Sequence, residues 1–245
     1  MLDIEPIINN LNINGVSVIP GLYSKSQIDE LSQMAQNTYN ITISELSNSN
    51  PTPSDYLYYT NYDKEYCDTK NIYDLDNVKV LEVVKGRYDI SYKQEPRKVH
   101  PVIEKITNHF IKTQYNKTWG LLPSSVGSHD GPWHRDVVNI DGDADEDGVY
   151  DDQNMVHNMN PFYFTILIPL VKLNRINGTP EFIQGSHRLT YKESIQNKHI
   201  QFNTNIGDAI IFDGRIFHRG RANNSEEDRP VIYNMIHRNW YTETG

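Results

Sequence analysis

Two residues with metal-binding side chains sit one apart in Trp133-His134-Arg135-Asp136, and a third, His218, ends the later stretch Asp213-Gly-Arg-Ile-Phe-His218. In an extended chain, residues i and i+2 share a face. His134 and Asp136 are therefore expected to point together, with Arg135 turned away. Two imidazoles and one carboxylate on one side of an ion leave its opposite positions open. Proteins hold non-haem Fe(II) for oxygenase chemistry with this donor set. A single His-x-Asp is a short pattern that also arises by chance, so its weight depends on the elements that carry it.

Those elements read as strands following a helical start. Val16-Ser-Val-Ile-Pro20 is a short strand, and Ser24 with Gln27 forms a capping box for a helix that places Ile28, Leu31 and Ala35 on one stripe. Pro101 opens a second helix with Val102, Ile103, Ile106 and Phe110 as its apolar face. From there the pattern is β: Trp119–Leu122, the segment holding His134 and Asp136, Phe162–Leu170, Glu181–Gln184 after an Asn177-Gly178 turn, Gly207–Phe212 and Val231–His237. Phe162–Leu170 is apolar almost throughout, as a strand buried on both faces should be. Successive strands with short turns predict a mainly β fold, a double-stranded β-helix (jelly roll, cupin-like) with the N-terminal helices packed on one sheet. Residues 1–245 read as one domain. Residues 44–77 lack regular periodicity and hold Pro51, Pro53 and a cluster of Tyr56, Tyr58, Tyr59, Tyr62 and Tyr66. They read either as a lid or as a polar surface excursion.

Composition narrows the function classes. A net charge of −9 argues against a nucleic-acid surface. Nothing in the sequence approaches the ~18 uncharged apolar residues of a membrane span, and the first residues carry no signal-peptide pattern. Cys67 is the lone cysteine, which suits a reducing compartment, hence a cytoplasmic location. His134-Arg-Asp136 also spells the kinase catalytic-loop tripeptide, but Asp141 stands where that loop needs asparagine and no glycine-rich phosphate loop precedes it.

In order along the chain, five segments resemble the phytanoyl-CoA dioxygenase family of Fe(II)/2-oxoglutarate oxygenases. They are Asn14-Gly-Val-Ser-Val-Ile-Pro-Gly-Leu-Tyr-Ser24, Trp133-His134-Arg135-Asp136, Asn177-Gly-Thr-Pro-Glu-Phe-Ile-Gln-Gly-Ser-His187, Gly207-Asp-Ala-Ile-Ile-Phe-Asp-Gly-Arg-Ile-Phe-His218, and Asn223-Asn-Ser-Glu-Glu-Asp-Arg229-Pro. The resemblance runs from about Asn14 to Trp240. It implies that His134, Asp136 and His218 bind Fe(II), that Arg229 grips the distal carboxylate of the cosubstrate 2-oxoglutarate, and that Thr165 offers it a hydroxyl. A guanidinium fork suits a carboxylate bidentately. Gly131 stands where the family often has a glutamine. The implied activity couples dioxygen and decarboxylation of 2-oxoglutarate, releasing succinate and CO2, to hydroxylation of a C–H bond in a small molecule. Related halogenases vacate the carboxylate position, so Asp136 favours hydroxylation. A jelly-roll binding module without catalysis is the competing reading.

Other residues take secondary places. His187, His129 and His157 are left outside the metal set because three protein ligands suffice; His187 is expected to be structural or to hydrogen-bond near the ligands. Asp143-Ala-Asp145-Glu-Asp147-Gly148-Val-Tyr-Asp151 matches the first nine positions of a calcium loop, with acids at one, three, five and nine and glycine at six. Asn154 replaces the glutamate of position twelve, so calcium competes with a solvated acidic insert over residues 141–152. Arg87, Arg215, Arg219 and Arg238 could place positive charge near the site, which would suit an anionic substrate; ordinary surface arginines are the alternative.

Overall fold

The structure is a computed structural model describing residues 2–49, 54–56, 70–75, 77–84, 86–93, 98–112, 115–137 and 159–241. In chain order the elements are α1 (Glu5–Asn14), β1 (Val16–Ile19), α2 (Lys25–Ser49), β2 (Ser54–Tyr56), β3 (Lys70–Asp74), β4 (Val78–Val84), β5 (Arg87–Tyr92), α3 (Pro101–Phe110), β6 (Tyr115–Ser124), β7 (Tyr163–Pro169), β8 (Glu181–Ile183), α4 (Tyr191–Ser194), β9 (His199–Gln201), β10 (Ala209–Asp213), β11 (His218–Arg219) and β12 (Arg229–Arg238). Among the described residues they form a nine-stranded sheet, β1-β10-β7-β12-β6-β5-β4-β3-β2, and a three-stranded sheet, β11-β8-β9. Every pairing is antiparallel. This is the expected mainly β jelly roll.

Alternation along the strands divides the large sheet into two faces. The outer set, including Ile19, Phe164, Ile166, Ile168, Ile211, Ile232 and Ile236, packs with Ile7, Ile8 and Leu11 of α1, Ile28, Leu31 and Ala35 of α2, and Ile103 and Ile106 of α3. Each such side chain contributes about 1.5–3 kcal/mol by leaving water. The inner set, including Val16, Leu167, Ile210, Phe212, Val231 and Tyr233, packs with Phe182 and Ile216. β7 is buried at all seven positions, as its unbroken apolar run predicts.

Local signals account for the helix ends. Gln27 N donates to Ser24 Oγ at 3.3 Å while Ser24 N donates to Gln27 Oε1 at 2.8 Å, completing the box. His100 caps α3, its Nδ1 accepting from Val102 N at 3.2 Å. Helix α1 ends at Gly15 with φ +77°, and its N–H bonds Leu11 O.

Three readings change. Residues 44–49 continue α2, parts of 54–74 form β2 and β3, and residues 75 and 77 lie between β3 and β4; the other residues of the lid reading lie outside those described. The His134–Asp136 segment is not a full strand. It meets His218 in an isolated bridge, because Pro132 has no N–H to extend a ladder on that side and the chain bends at Asp136. The short helix α1 has weak sequence signals, since asparagines interrupt its apolar stripe.

Candidate metal centre

The bridge brings the two histidines together. His134 N donates to His218 O and His218 N to His134 O, both at 3.0 Å. Asp136 N bonds Gly214 O at 2.9 Å, pulling the next ligand onto the same turn of chain. One ligand atom from each of His134, Asp136 and His218 lies within 4.8 Å of the others. His218 Nε2 is 3.3 Å and His134 Nε2 is 3.7 Å from Asp136 Oδ1. Donors about 2.1 Å from one ion and at right angles sit about 3 Å apart, so small adjustments close the set on a metal. His134 and Asp136 thus point together without a regular strand between them.

The tautomers also suit a metal. His134 Nδ1 lies 3.0 Å from Pro132 O, and His218 Nδ1 lies 3.1 Å from Ile216 O. With each Nδ1–H donating to the carbonyl two residues back, each Nε2 keeps a lone pair aimed at the ion. Burial by itself would raise the Asp136 carboxyl. When the rings carry a proton in place of a metal, the charge of His218 and its hydrogen bond, then the charge of His134 and the hydrogen bond from Thr165, instead hold it below the usual carboxylate range. The Thr165 hydroxyl, expected to serve the cosubstrate, donates a hydrogen bond to Asp136 Oδ2.

Arg229 occupies the same inner face. It is 4% exposed, and its Nε makes no hydrogen bond among the described residues. Burial first, then the charge of Arg87, pushes its pKa down to about 9, still cationic at neutral pH. Arg87 stands opposite Ser124, and Ser124 stands opposite Arg229, so the two arginines share one row across β5, β6 and β12. Arg87 donates from Nε to Ser124 Oγ at 3.4 Å and from Nη2 to Arg221 O. Burial lowers its pKa to about 10, against the raising charge of Asp130. Its guanidinium runs past two glycines: a Cβ on Gly220 would come within 2.3 Å of Nη1, and one on Gly131 within 3.1 Å. Thus the space a side chain at Gly131 would enter borders Arg87. An orphaned buried guanidinium beside a second cation is what a diacid needs.

Of the other candidate cations, two are held in ion pairs. Arg215 is buried in a pair with Asp213, Nη2–Oδ2 2.6 Å. Arg219 pairs with Glu181 at 2.8 Å, and Arg238 ends β12. His187 is buried against Gly15, where a Cβ would lie 2.6 Å from its Nδ1, and burial pushes its pKa down to about 4. It belongs to the packing, as expected. His129 is exposed. His157 and the calcium-loop residues Asp143, Asp145, Asp147 and Asp151 lie outside the described residues.

The sequence pattern of the phytanoyl-CoA dioxygenase family (PhyH) matches residues 11–231. The chain belongs to that family. The resemblance expected from about Asn14 to Trp240 is matched as far as residue 231, a range that holds the whole triad and Arg229. A Saccharomyces cerevisiae relative, the uncharacterized protein YJR154W, is 33% identical over 70 residues, which span 27% of this chain and 20% of the yeast protein. Solved structures share the fold. AviO1 from Streptomyces viridochromogenes superposes with TM-score 0.64 at 16% identity, covering 100% of this chain and 99% of that one. The epimerase SnoN, in complex with Fe3+, alpha ketoglutarate and nogalamycin RO, gives TM-score 0.63 at 13% identity over 96% of this chain and 83% of its own.

Proposed function

We propose that this family member is an Fe(II)/2-oxoglutarate-dependent dioxygenase that hydroxylates a C–H bond of a small molecule, releasing succinate and CO2. One observation carries the reading: the donor atoms of His134, Asp136 and His218 converge within 4.8 Å against the inner face of the large sheet, touching it at Thr165 and Phe212, and that same face carries the buried Arg229, whose Nε has no partner among the described residues. A binding module has no need of both.

The residues divide the work. His134, Asp136 and His218 would hold Fe(II), which supplies dioxygen activation when bound. Arg229, aided by Arg87, would grip the distal carboxylate of 2-oxoglutarate and aim its oxo-acid end at the triad. Thr165 holds Asp136 Oδ2 by a hydrogen bond, leaving Oδ1, the oxygen nearest both histidine Nε2 atoms, available to a metal. Phe212 and Phe182, with ring centroids 4.6 and 5.8 Å from that of His218, would help to keep water from competing there. SnoN's name as an epimerase marks a second outcome for the same machinery, in which the product keeps no new hydroxyl. The substrate would be a small molecule, and a reducing cytoplasm suits a ferrous site; no described helix is long and apolar enough to cross a membrane.

The test is succinate formation by anaerobically iron-loaded protein given 2-oxoglutarate, air and a metabolite panel, with product masses read for an added oxygen. Turnover that vanishes in Asp136→Ala supports the reading. Absence of even uncoupled succinate, with metal bound, favours the binding module. Calcium at Asp143, Asp145, Asp147 and Asp151 is proposed separately; a terbium titration without a saturable luminescent site removes it.

A further inference from the structure

The His134–His218 bridge is a single residue pair, flanked by Gly131 N–Gly220 O at 2.8 Å and Asp136 N–Gly214 O at 2.9 Å, so only a few backbone bonds hold the two segments in register. In antiparallel register, Trp133 then faces Arg219 and Arg135 faces Phe217, both on the side away from the ligand rings. Both pairs are cation–π contacts. The Arg219 guanidinium carbon lies 4.5 Å from the Trp133 ring centroid, and that of Arg135 lies 3.9 Å from the Phe217 centroid. The order is crossed: the histidine that follows an aromatic on one segment faces the histidine that precedes an arginine on the other.

Each arginine is anchored in turn. Arg219 donates through Nε and Nη2 to Glu181 Oε2, both at 2.8 Å, and Arg221 Nη1 joins the same oxygen at 3.0 Å. Arg135 donates to the carbonyls of Leu189 and Ser186, and Ser186 Oγ accepts from Phe217 N at 2.8 Å. His199 adds an edge contact to Trp133, with ring centroids 5.1 Å apart. The far side of the bridge is thus tied to β8 and to the 3-10 turn at Ser186–Arg188. On the near side the two imidazoles stand with centroids 4.2 Å apart.

We propose that the pairs Trp133–Arg219 and Arg135–Phe217 are a double clamp that presets His134 and His218 for the metal, making these four positioning residues. This rests on the triad being a metal centre. The clamp acts before any cosubstrate arrives, so it is read in metal binding alone. Trp133→Leu and Phe217→Leu remove the ring faces, Arg219→Met keeps the stem without charge, and Trp133→Phe keeps a ring.

The experiment titrates Co(II) into metal-free full-length protein, following the visible d–d bands, with melting of each metal-free variant recorded alongside. The two Leu variants and Arg219→Met are expected to bind Co(II) about 10–100-fold more weakly with altered d–d bands. Trp133→Phe is expected to stay within about threefold of the parent, because it keeps a ring face for Arg219. Co(II) affinity and bands unchanged in the Leu variants, whatever their melting, would overturn the clamp, as would equal losses in Trp133→Phe and Trp133→Leu. Should a Leu variant not fold, Arg219→Met carries the test, its side chain being 22% exposed. A parent protein that binds no Co(II) fails the metal-centre reading instead.

Discussion

The two faces of β7 and β12 belong to the same strands and do different things. Outward, Phe164, Ile166, Ile168, Ile232 and Ile236 join an aliphatic mass under three helices. Inward, Thr165 bonds the Asp136 carboxylate, and the Nε of Arg229 has no partner among the described residues. The sheet's period of two lets one strand serve as both foundation and instrument, with neighbours in sequence separated by the thickness of a backbone. Stability and chemistry should therefore come apart under mutation, residue by residue.

The sharpest separation is at the ligands. Asp136→Ala should remove succinate formation, a loss beyond the ~10–100-fold typical of residues around a ligand, while leaving the melting temperature near the parent's. On the other face, Phe164→Ala should cost about 3–5 kcal/mol in denaturant unfolding, with the KM for 2-oxoglutarate unchanged in the protein that remains folded. If that KM rises as well, the two faces are coupled and the division fails. Arg229→Met should raise the KM for 2-oxoglutarate by about 10–100-fold, the worth of hydrogen bonds to a charged group, and leave unfolding almost untouched. Smallest is Thr165→Val, expected to weaken Co(II) binding by about tenfold; an effect on 2-oxoglutarate affinity instead would return Thr165 to the cosubstrate.

The triad was legible because its signal is local. His134 and Asp136 share a face at a spacing of two, and His218 follows a strand whose own pattern is plain. The role proposed for Arg229 rests on the ordered segments that resemble the family, since no local rule marks an arginine as a carboxylate grip. Arg87 stood as one of four arginines of equal standing. What singles it out is its row with Ser124 and Arg229, a pairing between distant strands, and long-range register leaves no trace in local periodicity. The same holds for Thr165, whose partner is set by where β7 meets the bend at Asp136. Helix α2 was legible at its capping box but not in its second half, where Asn, Thr and Ser weaken the helical signal yet the chain continues to Ser49.

Arg87 and Arg229 also have a mechanical consequence. β6 lies between the strands that carry them, and two like charges held in the interior push against the sheet that joins them. A dicarboxylate lodged there would act as a tie-rod, turning a standing repulsion into a bond across three strands. By mass action the protein should then melt higher in 2-oxoglutarate even in the presence of a chelator, and Arg87→Met should shrink that rise.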